Sequence, residues 1–364
     1  MSLFAKFLGG NDGSHALGVD VGSSSIKVVE LKKKNGQAIL ETYGELSLGP
    51  YAGLPVGQAT QLSSEKVALA LLDLLKENEV AVTTKKCGLS IPFSSSLMSV
   101  ADMPDVGPER LKTMVPLEAR KYIPVPIQEV LLDWSVIPKD TDVGSPEGPG
   151  LKRTDVLIVA IHNDTIARYQ DIITRTGLEA SFFEIEVFST MRSVLDEGMK
   201  PILIIDMGSA STKLYIVERG IIRGSHTINR GAQDITSALS RSLGQSIEEA
   251  EVFKRKYGLR GEDSQAKEVA SLVLDHVWGE ANSSLLAFEK KHNKTVAKVI
   301  MVGGGASLKG ILDVAKENFR LEVELGAPFN KVVVPAFLEN MLRETGPEFA
   351  VAVGLALRKL SEDD

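Results

Sequence analysis

The chain has 364 residues, and at roughly 150 residues per domain this length predicts two domains or one large bilobed unit. Hydrophobic residues make up 43% and charged residues 24%, a balance that excludes a wholly disordered chain and a collagen-like fibre. The net charge of −7 disfavours general binding to nucleic acid, because that function needs concentrated lysine and arginine.

The single cysteine, Cys87, cannot form an internal disulfide, so nothing in the sequence indicates an oxidising compartment. It lies in an apolar stretch, which favours a small buried residue over a reactive thiol. No apolar run approaches the ~20 residues that are needed to span a bilayer. We therefore expect a cytoplasmic protein without a membrane span.

The first informative segment, residues 17–31, predicts a β-hairpin. An apolar strand ends at Asp20, and a β-branched strand resumes at Ile26. Between them lies a turn of small residues, namely Gly22, Ser23, Ser24 and Ser25. Further along, apolar residues recur at helical spacing over residues 64–79, which predicts an amphipathic helix.

Residues 85–160 differ from the segments around them in their pattern of predicted strands and helices, and they predict an inserted subdomain. Its predicted elements are strands at 87–91, 96–100 and 130–137 and a helix at 109–122. We expect Pro116 to interrupt that helix, because proline lacks a backbone N–H group. The segment 138–154 is rich in Gly, Pro, Asp and Lys, which predicts a surface loop. We expect the strand that follows, 156–161, to return to the main body.

The opening pattern recurs near the middle of the chain, where residues 201–218 again predict strand, small-residue turn and strand. Five of the eight positions from Asp20 to Lys27 are identical when Asp20 is aligned with Asp206. The matched pairs are Gly22 with Gly208, Ser23 with Ser209, Ser25 with Ser211, and Lys27 with Lys213. A repeat at half the chain length predicts two related halves that face each other, not a solenoid.

The pattern D-x-G-S-x-S-x-K on a tight turn suits the binding of an anion. Glycine lets backbone amides approach the anion, the serine hydroxyls donate hydrogen bonds, and lysine adds a positive charge. An aspartate beside a phosphate requires a cation between them, and Mg²⁺ suits that position. Two such turns facing each other predict a clamp on the phosphates of a nucleotide. The alternative is a pair of ordinary hairpins with serine-rich turns.

Two further segments complete the candidate site. Residues 299–312 predict a strand, three glycines and a helix, an arrangement that lets a base or a ribose-linked phosphate lie against backbone. Residues 247–258 predict a helix with Glu251 and Lys254 on one face. Our hypothesis is that Glu251 accepts ribose hydroxyls while Lys254 and Arg255 flank the base. A surface ladder of charged residues is the alternative for that helix.

In this order, these elements resemble the actin-like ATPase superfamily. Within it, the chain is similar to the PilM family of type IV pilus assembly, on the evidence of the strings GLSIPFSSSLMSVADMP and LEARKYIPVPIQEVLLDWSVIP between Cys87 and Ile137. The resemblance implies an α/β, actin-like (ribonuclease H-like, duplicated) fold of two lobes with an inserted α+β subdomain. The implied segments are 1–85 and 156–200 for the first lobe, 86–155 for the inserted subdomain, 201–345 for the second lobe, and 346–364 for a helix returning to the first lobe.

The resemblance also implies the roles of single residues. It assigns the phosphates to Gly22, Ser23, Ser24, Ser25 and Lys27 of the first turn and to Gly208, Ser209, Ser211 and Thr212 of the second. It assigns the nucleoside to Gly231, Glu251, Lys254, Gly303, Gly304, Gly305 and Leu308. Asp20 and Asp206 would hold Mg²⁺ and act with Glu186, which would orient the attacking water. Relatives commonly have proline after that glutamate, whereas this chain has Val187, and Pro116 is a second departure.

The function that the resemblance implies is a cytoplasmic scaffold of the type IV pilus inner-membrane complex. It would bind ATP or ADP with Mg²⁺, with at most slow ATPase activity. Its partner would be the N-terminal cytoplasmic tail of a PilN-like membrane protein, bound in a groove by the inserted subdomain, with Arg120, Tyr122 and Ile123 as candidate contacts. Other pilus assembly proteins and self-association are further candidates. The alternatives are an FtsA-like cell-division scaffold, a small-molecule kinase and a filament-forming protein.

Overall fold

The computed structural model describes residues 14–137, 153–196, 198–260 and 264–362. The chain divides into two compact units, which we call the larger unit (Met1–Ser90 and Ile172–Asp364) and the smaller unit (Ile91–Asp171). Most of the predicted loop at 138–154 lies outside the described residues. Within the described ranges, we find no helix with both the length and the apolar character that a bilayer crossing requires.

The bounds of the elements follow the predicted ones closely in both units. The strands are β1 (His15–Val21), β2 (Ser25–Lys34), β3 (Gln37–Ser47), β4 (Lys86–Ile91), β5 (Ser96–Pro104), β6 (Val130–Ile137), β7 (Arg153–His162), β8 (Glu179–Ile185), β9 (Ile202–Met207), β10 (Thr212–Glu218), β11 (Ile221–Ile228), β12 (Lys298–Val302) and β13 (Glu322–Leu325). The helices are α1 (Ser64–Lys76), α2 (Pro108–Ala119), α3 (Asn163–Thr176), α4 (Glu186–Val194), α5 (Ala232–Leu243), α6 (Ile247–Tyr257), α7 (Ser264–His292), α8 (Ile311–Asn318), α9 (Glu339–Thr345) and α10 (Ala350–Glu362).

The larger unit contains two five-stranded sheets of the same construction. The first has the order β3-β2-β1-β4-β8 and the second the order β11-β10-β9-β12-β13. In each, the hairpin is antiparallel, and its first strand pairs in parallel with a later strand, β4 or β12. The predicted hairpins at 17–31 and 201–218 are therefore confirmed, and they occupy equivalent places in the two sheets.

The core of each sheet explains why its central strands are apolar almost throughout. Both faces of β1 and β9 are covered, so residues such as Leu17, Val19 and Leu203 are fully buried. In the second sheet, apolar residues of β9, β10 and β12 pack with those of α5, α7 and α8 around Trp278. In the first, β1 and β2 pack against α10.

Helix α10 approaches its neighbours more closely than most helices can. A Cβ atom at Gly18 of β1 would lie 1.9 Å from the carbonyl oxygen of Ala352 in α10. A Cβ atom at Gly354 of α10 would lie 1.9 Å from the carbonyl oxygen of Ser189 in α4. Real Cβ atoms do not come this close to backbone atoms, so glycine is required at both contacts.

The smaller unit is an antiparallel sheet, with β7 between β5 and β6, and the helix α2 on one face. The expectation that residues 156–161 return to the main body is wrong, because they form the middle of β7 and pair with both neighbours in this sheet. The expected interruption of α2 is also wrong. The helix continues through Pro116, since Leu111, Val115 and Ala119 on its buried face hold it against the sheet.

Strand β4 belongs to the larger unit and marks where the smaller unit begins. Cys87, Gly88 and Leu89 of β4 pair with Leu17, Gly18 and Val19 of β1, so β4 is part of the first sheet of the larger unit. The smaller unit begins at Ile91, the last residue of β4. The other boundaries of the five-segment division made from the sequence stay predictions.

Candidate functional site

The two hairpin turns repeat each other in backbone detail. The amide of Gly22 donates to the carbonyl of Ser25 at 3.0 Å, and the amide of Gly208 donates to the carbonyl of Ser211 at 3.0 Å. A Cβ atom at Gly22 would lie 3.0 Å from the carbonyl oxygen of Ser25, so each turn favours glycine by this close approach. In each hairpin the aspartate one residue before the end of the first strand lies directly opposite the lysine of the second strand.

Both turns line one cavity of about 340 Å³ within the larger unit. Most of the residues predicted from the sequence line it as well. They are Asp20, Gly22, Ser23, Ser24, Ser25, Lys27, Glu186, Asp206, Gly208, Ser209, Glu251, Lys254, Arg255, Gly303, Gly304, Gly305 and Leu308. The fold thus brings together residues from both halves of the repeat, from α6 and from the glycine segment (Gly303–Gly305).

Three predicted residues, Ser211, Thr212 and Gly231, are not among those that line the cavity. Thr212 is fully buried, and its hydroxyl donates to the carbonyl of Arg230 at 2.8 Å. Gly231 lies against the second turn, where a Cβ atom would be 2.3 Å from the carbonyl oxygen of Ser209. These residues support the second turn from behind.

The glycine segment approaches the second hairpin at Gly303. This residue has φ +85° and its Cβ atom would lie 2.5 Å from Oδ1 of Asp206, so only glycine suits the position. Its amide donates to the carbonyl of Pro347 at 2.9 Å. The glycines after β12 therefore form a bare backbone wall of the cavity, next to the aspartate.

An acidic cluster with a lysine at its centre occupies one side of the cavity. The Lys213 ammonium lies 2.8 Å from Oε1 of Glu186 and 3.3 Å from Oδ2 of Asp206. Asp20 is close enough to act on it electrostatically and accepts a hydrogen bond from the hydroxyl of Ser90 at 2.8 Å. Burial raises the pKa of Asp20 above its usual value, although Lys27 and Ser90 oppose the shift.

The first lysine of the repeat has different partners. The Lys27 ammonium lies 2.9 Å from Oε1 of Glu45, which faces it across strands β2 and β3, and 2.7 Å from the hydroxyl of Ser25. Glu348 also lines the cavity here. Its burial and the nearby Glu45 carboxylate raise the pKa of Glu348 to about 7.

Two charged residues of α6, Glu251 and Lys254, are buried in a hydrogen-bond network that the more exposed Arg255 joins. The Lys254 ammonium lies 2.7 Å from Oε2 of Glu251 and donates to the hydroxyl of Thr236 at 2.8 Å. Arg255 donates to Oε1 of the same carboxylate at 2.8 Å. Glu251 is only 4% exposed and Lys254 only 7%, so the alternative of a surface charge ladder is wrong.

The loop after β3 contacts both turns. The hydroxyl of Ser209 donates to the carbonyl of Gly57 at 2.7 Å, and the amide of Thr60 donates to the carbonyl of Ser23 at 2.8 Å. The amide of Ala59 donates to Oε1 of Gln233 in α5 at 3.0 Å. This loop therefore connects the two halves of the repeat at the cavity.

Sequence reasoning missed several residues that line the cavity, among them Glu45, Gly57, Thr190, Lys213 and Glu348. The repeat itself had paired Lys213 with Lys27, so the alignment of the two hairpins carried enough signal to find it. Glu45 follows from the pairing of β2 with β3 once their register is known. Gly57 and Glu348 lie on irregular segments, where no periodic pattern marks them.

The candidate partner contacts lie at the end of α2 in the smaller unit. Arg120 is exposed, and Tyr122 is 41% exposed. Ile123 is 7% exposed and belongs to the core of that unit, so its side chain is not available to a partner on the surface. The partner role of Arg120 and Tyr122 stays a prediction.

Comparison with known proteins identifies the fold. The sequence model of the family described as Type IV pilus assembly protein PilM matches residues 18–360. The cell division protein FtsA of Neisseria meningitidis serogroup B is 25% identical over 345 residues, covering 85% of this chain and 82% of that protein. A chain of a solved PilM-PilN type IV pilus biogenesis complex is 24% identical with a TM-score of 0.79, covering 95% of this chain and 98% of that chain.

A more distant solved structure, MreB 5 of Spiroplasma citri bound to AMPPNP, is 11% identical with a TM-score of 0.50. It covers 94% of this chain and 95% of that chain. The actin-like α/β fold expected from the sequence is confirmed by these similarities.

Proposed function

Because the chain belongs to the PilM family of type IV pilus assembly proteins, we propose that it is an ATP-binding scaffold of the pilus assembly complex at the inner membrane. The observation that carries nucleotide binding is the convergence of two matching glycine–serine turns on one cavity. Backbone amides and hydroxyls on two sides suit an anion with several phosphates. The AMPPNP bound to the MreB 5 structure supports the same assignment.

In this proposal each wall of the cavity has a separate task. The turns at Ser23 and Ser209 bind the phosphates, with Lys27 as a neighbouring positive charge. The glycines from Gly303 onward give the nucleoside a flat backbone surface, and the buried Glu251 fixes its ribose. A Mg²⁺ ion at Asp20 and Asp206 stays a prediction, and the described residues contain no group of three or more His, Cys, Asp or Glu side chains suited to a metal.

Glu186 is proposed to have little freedom to activate water. Its carboxylate lies 2.8 Å from the Lys213 ammonium, and this ion pair restricts its orientation. A general base must be free to accept a proton from the attacking water. We therefore expect at most slow ATP hydrolysis, which suits a scaffold that holds a nucleotide more than an enzyme that consumes one.

The partner in this proposal is the N-terminal cytoplasmic tail of a PilN-like membrane protein, which would keep the chain at the inner face of the membrane. The solved relative in complex with PilN supports this choice. Arg120 and Tyr122 of the smaller unit are the proposed contacts, because their side chains are exposed.

Two binding experiments test the proposal. Calorimetry with ATP should give one site in the wild-type protein and at least a tenfold loss of affinity in Ser209→Asp, because a carboxylate would repel the phosphates. Ser283→Asp is the control, at an exposed serine of α7 that is not among the lining residues, and it should bind as the wild type does. Equal affinity of Ser209→Asp and wild type would refute phosphate binding at this turn.

Titration of the ATP-loaded protein with a synthetic peptide copying the PilN-like tail tests the partner. We expect one-to-one binding that Arg120→Glu or Tyr122→Ala weakens. Absence of binding by folded, ATP-loaded protein would favour an FtsA-like role, which the similarity to FtsA supports as the second candidate.

A further inference from the structure

Three carboxylates, those of Asp20, Glu186 and Asp206, lie close together on one side of the cavity. Glu186 and Asp206 have side chains only 11% and 10% exposed, and Asp20 is close enough to interact with Asp206 electrostatically. Carboxylates gathered in one poorly solvated place repel one another, so a neighbouring positive charge is needed to offset them. Lys213 is the cation that lies among them.

The contacts of Lys213 suit this task. Its ammonium is within hydrogen-bond distance of Oε1 of Glu186 and close to Oδ2 of Asp206, and its own side chain is 14% exposed. Both contacts are ion pairs, so this one lysine offsets the charge of two carboxylates at once.

The repeat provides an internal comparison. Lys27 occupies the equivalent position in the first hairpin, yet its ammonium contacts Glu45 and Ser25. The two lysines therefore have different partners, and Lys213 is the one that bridges Asp206 of β9 and Glu186, the first residue of α4. Sequence identity at the two positions gave no sign of this difference.

A divalent cation does not fit well between the same carboxylates. Mg²⁺ requires oxygen ligands at about 2.0–2.1 Å in octahedral geometry, and it retains several waters. At that position it would lie against the Lys213 ammonium, and like charges at such short range repel strongly. The residues present therefore fit a lysine better than a metal ion.

We propose that Lys213 is the resident cation of this site, so that the protein binds nucleotide with little dependence on Mg²⁺. Lys213 neutralises Glu186 and Asp206 in the free protein, while Lys27 and Lys213 both act on Asp20, and the phosphates are then held by the two turns. The nucleotide part rests on the proposed function, whereas the neutralisation of the carboxylates does not.

The experiment measures thermal unfolding of the nucleotide-free full chain in excess EDTA and in millimolar MgCl₂. Wild type should unfold at the same temperature in both. Lys213→Met, which keeps the length of the side chain but removes its charge, should lose more than about 5 °C in EDTA. It should regain part of that loss with MgCl₂, because the metal can then occupy the vacated place.

Lys298→Met is the control, since Lys298 pairs with Glu324 at the surface, and MgCl₂ should not alter its unfolding. An unchanged Lys213→Met, or a variant whose loss MgCl₂ does not reduce, would overturn the proposal. So would a rise in the unfolding temperature of wild type on addition of MgCl₂ as large as that of the variant.

ATP affinity of the wild type is the second measurement, and it does not require that the variant folds. We expect the affinities in EDTA and in MgCl₂ to agree within about threefold, which is under 1 kcal/mol. A loss of more than tenfold in EDTA would overturn the proposal. If wild type binds ATP in neither condition, the proposed function fails, while the MgCl₂ response of Lys213→Met still decides the role of the lysine.

Discussion

Replacing Gly354 by alanine would place a methyl group where helix α10 meets helix α4. The new Cβ atom would lie 1.9 Å from the carbonyl oxygen of Ser189 and 2.5 Å from its carbonyl carbon. Both are backbone atoms, so no change of rotamer can relieve the overlap. The helices must separate by about 1 Å or more to restore ordinary contact.

The magnitude follows from two opposing effects. Alanine favours a helix interior over glycine by about 1 kcal/mol. Overpacking of a well-packed core costs typically 1–3 kcal/mol, and a clash with backbone lies at the upper end or beyond. We expect a net loss of about 2 kcal/mol in the free energy of unfolding. ATP affinity should fall too, because α4 begins with Glu186 and α10 with Ala350, both of which line the cavity.

Gly279→Ala is the matched control. Gly279 lies within α7, it is exposed, and apart from its chain neighbours and the backbone of its own helix no atom lies within 4 Å of the Cβ position. This variant should gain about 0.5–1 kcal/mol from helix propensity alone. Guanidinium unfolding of both variants gives the midpoints and slopes. A Gly354→Ala protein as stable as the wild type, or stabilised as Gly279→Ala is, would refute the reasoning.

Two further predictions concern titratable groups. Because burial and Glu45 raise the pKa of Glu348 from 4.5 to about 7, the folded form holds the proton more tightly than the unfolded chain, and stability falls as pH rises between these values. The free energy of unfolding of Glu348→Gln should thus exceed that of the wild type by roughly 1–2 kcal/mol at high pH and equal it in acid. If the free energies of the two proteins change with pH in the same way, the prediction is refuted. Burial also raises the pKa of Cys87 to about 12. The native thiol should therefore react with an aromatic disulfide reagent only as fast as the protein opens. Immediate labelling of the native protein would refute this prediction.

Local sequence patterns were sufficient to predict most of the strands and helices and the two turns of the candidate site. The glycine–serine turns, flanked by apolar and β-branched runs, define both hairpins wherever they occur, because turn geometry and strand alternation depend on near neighbours in the chain. Their repetition then indicated that the two turns serve one site. The chemistry of Ser23, Ser209 and their neighbouring aspartates was therefore visible in the sequence.

Contacts between distant segments decided the rest. The sequence by itself determined that Lys27 and Lys213 hold equivalent places, but only the tertiary structure gave them different partners, Glu45 for one and Glu186 for the other. It likewise buried Glu251 and Lys254, and it made residues 156–161 the middle of a sheet in the smaller unit. Periodicity indicates which side of a helix or strand is apolar. The partner of a charged side chain depends instead on which segments pack together, and this packing is determined by the burial of side chains over the whole chain.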